Sequence, residues 1–206
     1  MTLAFAASPS TSRDPADVSA SGRSVGGMSS QQSRSERADL LESLRRHREL
    51  FLVTVRDLTD EQARQSPTVS SLSLGGLVKH VASTEQEWAG FVIDGPSARS
   101  DVDWLSIDWS NPPPEVVAHQ QGFQLLPDET LEGVLADYRA VASVTDRLVE
   151  TVDLDASHPL PEAPWFEPGA RWSARRVFLH IVAETSQHAG HADIIRETID
   201  GQKSMG

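Results

Sequence analysis

The last quarter of the chain carries His180, Glu184, His188 and His191, at spacings of four, four and three. Side chains three and four apart are neighbours on a helix surface, so a helix here would line all four on one stripe. A carboxylate and an imidazole at i and i+4 can grip one divalent ion, as the two histidines of an HExxH helix do. A fifth candidate, His80, stands between Val78 and Val81 in an earlier apolar stretch. Facing helices of a bundle send ligands into a shared core. His80, Glu184 and His188 would then supply three protein ligands and leave one position open, as in a catalytic rather than a closed structural metal centre.

Ordinary packing explains the same residues. His80 fits a hydrogen-bonded core histidine, Glu184 a surface pair with Arg175 or Arg176, and His180 simple packing. Against this, the stripe shared with Val177, Ile181, Ile194 and Ile195 would bury four ionisable groups, which is unfavourable unless something partners them. Spacing alone leaves both readings open. His47, His119 and His158 have no companion at ligand spacing, and the chain has no GxSxG, P-loop or GxGxxG motif. Gly75–Gly76 reads as a close-packing point. Trp88 reads as a core anchor, whereas Trp104, Trp109, Trp165 and Trp172 lie in loop-like segments and could wall a pocket.

Four long helical patterns would position these residues. The first runs from Ser35 to about Asp57 through Leu40, Leu41, Leu44, Leu50, Phe51, Val53 and Val55. Thr59 and Gln62 form a capping-box pattern for a short turn of helix before Pro67. The second long helix is predicted from an N-cap at Ser73 to Gly95, the third from Asp128 to about Val152, and the fourth from an N-cap at Ser173 to Gly201. Residues 96–127 and 153–172 read as long loops, and no strand-like alternation of useful length appears. The expected fold is all-α: a four-helix bundle over residues 34–206.

Residues 1–33 are dominated by Ser, Gly, Pro and Ala and hold too little apolar surface to offset the cost of ordering. They are expected to be a disordered tail rather than a signal peptide, with Met28 as an alternative start. Among the 206 residues, 38% are hydrophobic and acidic residues outnumber basic ones 30 to 18, for a net charge of −12. That balance argues against nucleic acid and anionic lipid as main partners, and no run is long and apolar enough to span a bilayer. The absence of cysteine rules out disulfides, thiolate zinc sites and a protein thiol nucleophile. Any thiol chemistry would use a borrowed thiol.

The stretches LGGLVKHVASTEQEWAGFVIDG and LPEAPWFEPGARWSARRVFLHIVAETSQHAGHADIIRETIDG carry a resemblance. Together they resemble the DinB-like bundle superfamily, and within it the actinobacterial mycothiol transferase branch, related to mycothiol-dependent maleylpyruvate isomerase. The resemblance covers Glu36 to Gly201 and implies that His80, Glu184 and His188 bind one divalent metal ion, zinc first, with nickel or manganese as alternatives. His180 matches a frequent family histidine, and the role of His191 stays open between ligand and support. The implied activity is S-transfer with a low-molecular-weight, mycothiol-like thiol as co-substrate and a small electrophile as acceptor, in the cytoplasm, with a homodimer left open. A metal-dependent hydrolase or isomerase, or a non-catalytic metal-binding helical stress protein, are the competing expectations.

Overall fold

The computed structural model describes residues 28–96, 108, 110–161 and 166–204. Trp104, Trp109 and Trp165 fall outside them, as do residues 1–27 of the expected tail. The helices are α1 (Met28–Val53), α2 (Asp60–Arg64), α3 (Leu74–Asp94), α4 (Pro114–Gln121), α5 (Leu131–Thr151) and α6 (Ala174–Asp200). The expected all-α four-helix bundle is what forms, from α1, α3, α5 and α6. α3 packs against both α5 and α6, and α1 against α6.

The capping signals place most helix ends. Thr59 and Gln62 form the reciprocal box that opens α2, and the hydroxyls of Ser73 and Ser173 accept from Gly76 and Arg176 N–H. Gly201 takes the left-handed conformation that ends α6, at φ 78°. Four expectations need correction. α1 starts at Met28 rather than near Ser35, so residues 28–33 form its first turns. α5 is capped by Thr130, not opened at Asp128, because Glu129 is turned toward Lys79 and the Leu126 N–H. Within the expected loop of residues 96–127, Pro114 begins α4, where its fixed φ and missing N–H cost a first helical turn nothing. Finally, β1 (Ser157–Pro159) and β2 (Arg171–Ser173) form a short antiparallel ladder with His158 opposite Trp172; three residues are too few for alternation to show in a sequence.

Arginines reach across the bundle to satisfy carbonyls that the helix ends leave unpaired. Arg196, on α6, donates to the Thr54 and Arg56 carbonyls just past α1, and Arg37 donates to those of Val149 and Val152 at the end of α5. Two apolar clusters fill the interior. One gathers Phe51, Leu77, Tyr138 and Ile195, the other Leu44, Phe91, Val149 and Phe178. Between them along the helices lie buried polar residues: Arg48 on α1, Glu85 on α3, Thr145 on α5 and Thr185 on α6.

Candidate metal centre

His80 comes from the middle of α3, and Glu184 and His188 from adjacent turns of α6, which packs against it. One potential ligand atom from each residue lies within 4.8 Å of the other two. The His80 and His188 rings meet edge to face with centroids 4.7 Å apart. His80 also stacks on Phe123, at 4.5 Å and 25°. Gly76, one turn earlier in α3, makes that approach feasible: a Cβ there would sit 1.9 Å from the Phe123 carbonyl oxygen. Gly75 likewise faces Leu125 and the Ala63 carbonyl, as expected of a close-packing pair.

The far end of the cluster is walled by tryptophan. Trp88 and Trp172 stack on each other at 4.9 Å, and the His180 ring packs edge-on against both. Trp88 therefore belongs to the site's wall as well as to the apolar cluster beside it. Both long connections reach the centre, one through Phe123 and the other through Trp172. Trp172 was legible as a pocket-wall candidate. Nothing in the spacing of the sequence pointed to Phe123.

Among the described residues, Glu184 does not pair with an arginine. Arg175 is engaged by Glu36 and Asp155, and the Arg176 guanidinium lies over the Trp172 ring at 4.2 Å. Glu184 instead sits between two histidines, 3.6 Å from His180 Nε2 and 3.8 Å from His188 Nε2. Those distances exceed hydrogen-bonding range. Nor are they charge pairs at neutral pH. Burial pushes the His180 imidazole down to about 4, with Arg176 adding to the effect. Burial, then His80 and His191, do the same to His188, also to about 4. Burial raises the Glu184 carboxyl. Burial thus drives each of the three groups toward its uncharged form.

His191 and His180 are outside the converging set. The Nδ1 atom of His191 is 3.4 Å from Nδ1 of His188, on the side of that ring facing away from Glu184. Ile194, expected on the buried stripe, is 63% exposed, so α6 buries a narrower face than the pattern implied. His47 Nδ1 bonds to the Ser43 carbonyl, and His158 packs on Phe91. The side chain of His119 lies outside the described residues.

The donor set suits a divalent ion. Two imidazoles and one carboxylate are ligands zinc takes in sites that keep a fourth position open, and a bound ion would offset the burial that raises the Glu184 carboxyl. Bonds of about 2.0–2.2 Å put tetrahedral ligand atoms roughly 3.3–3.6 Å apart, so the three would draw in by about 1 Å, within reach of side-chain torsions.

The sequence model of the family described as Mycothiol-S-transferase matches residues 39–201, most of the chain. The chain belongs to that family. That family is one of mycothiol-related transferases, and the match covers α1 from residue 39 on, all of α3, α5 and α6, and every residue of the cluster. The fold is shared more widely. A crystal structure of a conserved protein from Enterococcus faecalis superposes with a TM-score of 0.53 at 16% identity, covering 79% of this chain and 96% of that one. None of the curated proteins matches the chain. Among the described residues no helix is long and apolar enough to cross a membrane.

Proposed function

We propose that the protein is a metal-dependent thiol S-transferase that uses a low-molecular-weight, mycothiol-like thiol as co-substrate and a small electrophile as acceptor. His80, Glu184 and His188 hold one divalent ion, zinc ahead of nickel or manganese. The observation that carries this reading is the convergence of these three ligand atoms within 4.8 Å, in a chain of this family. When bound, the ion supplies Lewis acidity to the co-substrate sulfur, bringing its pKa toward neutrality. The chain's own residues do the remaining work. Phe123 and the Trp88–Trp172 pair wall the centre at its two ends and limit water around the ligands. With no cysteine in the chain, the reacting sulfur arrives with the ligand.

In the reaction the thiol gives its proton to solvent and a sulfur lone pair forms the new C–S bond. The leaving group departs with the electrons of the broken bond, or, from an epoxide, stays attached as an alkoxide that takes up a proton. The compartment is the cytoplasm, where thiols are kept reduced. The test is metal analysis of the purified protein, followed by titration of its cobalt-substituted form with thiol. About one equivalent of divalent metal and a changed cobalt spectrum on thiol addition are expected. Turnover of test electrophiles should require thiol. An unchanged spectrum at millimolar thiol overturns the S-transferase reading, and thiol-independent turnover would favour activation of water at the same centre.

A further inference from the structure

We propose that His191 is a positioning residue that selects the tautomer of His188, holding its proton on Nδ1 so that Nε2 keeps the lone pair an ion needs. The inference rests on the reading of His188 as a ligand.

The two nitrogens of His188 face different neighbours. Nε2 points toward Glu184 and the converging ligand atoms. Nδ1 faces His191 Nδ1 across 3.4 Å, a long hydrogen bond. A neutral imidazole has one N–H and one lone pair. Two lone pairs, or two N–H groups, set against each other at this distance would repel, so one ring donates and the other accepts. If His191 were the donor, the proton of His188 would sit on Nε2, where it blocks coordination. If His188 is the donor, Nε2 is free, and the proton of His191 moves to its own Nε2. Only the second arrangement makes His188 a ligand. A ligating histidine whose other nitrogen donates to an outer partner is the usual way a metal site fixes ring orientation and tautomer.

The scaffold supports this role. His191 lies one turn beyond His188 on α6, next to Ala192, which is completely buried, and near Ile195, 3% exposed. That turn is anchored in the core, which holds the His191 ring against His188. His191 belongs to no other charge pair among the described residues, and it is not one of the converging ligands.

The experiment reads the tautomer directly. In uniformly 15N-labelled, metal-free full-length protein above pH 7, long-range 1H–15N correlations should show His188 as the Nδ1–H form and His191 as the Nε2–H form. The His188 signals are identified by their loss in His188→Gln. In His191→Ala the proton of His188 should move to Nε2, and zinc affinity should fall about 10- to 100-fold. His191→Gln, whose amide oxygen can accept the same proton, should keep both the tautomer and near-normal affinity. An Nε2–H form of His188 in the wild-type chain, or His191→Ala binding zinc as tightly as wild type, overturns the proposal. The ligand reading is tested separately by His188→Ala. Normal zinc binding in that variant would remove the ligand assignment, whereas the tautomer is measured without metal and reports on the His191–His188 pair alone.

Discussion

Two polar clusters among the described residues, one buried and one partly buried, are built on opposite principles. Arg48 and Glu85, 8% and 1% exposed at their side chains, meet in a two-point contact of 2.5 and 3.2 Å. Arg48 also reaches Asp146 at 2.7 Å, and Asp146 takes a further bond from Arg45 at 2.9 Å. Two cations and two anions cancel. Burial pulls the Arg48 guanidinium toward its neutral form, but Glu85 and Asp146 outweigh it and the net shift is upward. The site around Glu184 is built differently. Glu184 lies 3.6 Å from His180 and 3.8 Å from His188, and burial pushes those two imidazoles down and the carboxyl up. The first cluster is complete with the charges the chain supplies. The second sets a carboxyl among histidines at distances beyond hydrogen-bonding range. This contrast separates a structural buried ion pair from a site built to receive something, and it uses partner geometry rather than residue type to do so.

The largest effect should come from breaking the closed cluster. Glu85→Ala leaves Arg48 buried with half its partners gone, and removing one partner of a buried pair costs about 3–5 kcal/mol. The double change Arg48→Met, Glu85→Leu removes both charges and should recover most of that loss, because apolar replacements of similar volume are often neutral. Denaturant unfolding with far-UV detection checks both. A loss below about 1 kcal/mol in Glu85→Ala would show that the pair contributes little and that the comparison is misdrawn.

The open cluster should respond the other way. Metal-free Glu184→Gln should unfold within about 1 kcal/mol of wild type, since no cation depends on that carboxylate. Adding divalent metal at 100 times its dissociation constant should stabilise wild type by about 2.7 kcal/mol and leave His188→Ala where it was. Thermal melts with and without zinc measure the difference. Zinc stabilisation surviving in His188→Ala would move the centre off these residues.

The parts of this picture differ in how far the sequence discloses them. The four helices were legible because each carries a long apolar stripe between a polar N-cap and a stop, and Ser73, Ser173 and Gly201 sit where those signals put them. The convergence of His80, Glu184 and His188 was legible too, two of them through the i, i+4 rule and one through its place on an apolar helix. α4 escaped because eight residues opening on Pro114, the last of three consecutive prolines, carry almost no period. Phe123 and the Arg48–Glu85 pair escaped for another reason. Their partners lie 43 and 37 positions away in sequence, and only the assembled bundle brings them together. What a stripe buries can be read along the chain. What it is buried against cannot.

Gly76 gives a smaller and more local test of how the open site is shaped. A methyl group at this position would lie 1.9 Å from the Phe123 carbonyl oxygen, a backbone atom that cannot rotate away. Gly76→Ala should force residues 122–125 off α3 at a cost of about 1–3 kcal/mol, and Phe123 should lose its stacking on His80. The ring-current shift of the His80 protons reports this. Unchanged His80 shifts together with unchanged stability would mean that the segment does not rest on α3 as described.

The smallest effect concerns the tie that holds the same segment from the outside, and its sign follows from charge. Lys79 Nζ donates to Glu129 at 2.7 Å and to the Gln121 carbonyl at 3.3 Å, while Glu129 also accepts from the Leu126 N–H. Partial burial works to raise the Glu129 carboxyl, but Lys79, the Leu126 N–H and Arg64 outweigh it and hold it below the ordinary carboxylate range. A group whose folded pKa is depressed stabilises the fold above its unfolded value and loses that contribution as pH falls through the folded one. Glu129→Gln should therefore destabilise by up to about 1 kcal/mol, by a constant amount from pH 5 to 8. The gap to wild type should close below about pH 4. A gap that widens in acid would reverse the assigned sign. Because Phe123 lies between the two tied points, Gln121 and Leu126, the same variant should also loosen its contact with His80. A small weakening of zinc binding at pH 7, less than in His191→Ala, is then expected. Equal weakening in both would mean that the ligands depend as much on the covering segment as on their own helix, and the open cluster would owe its shape to the loop beside α3.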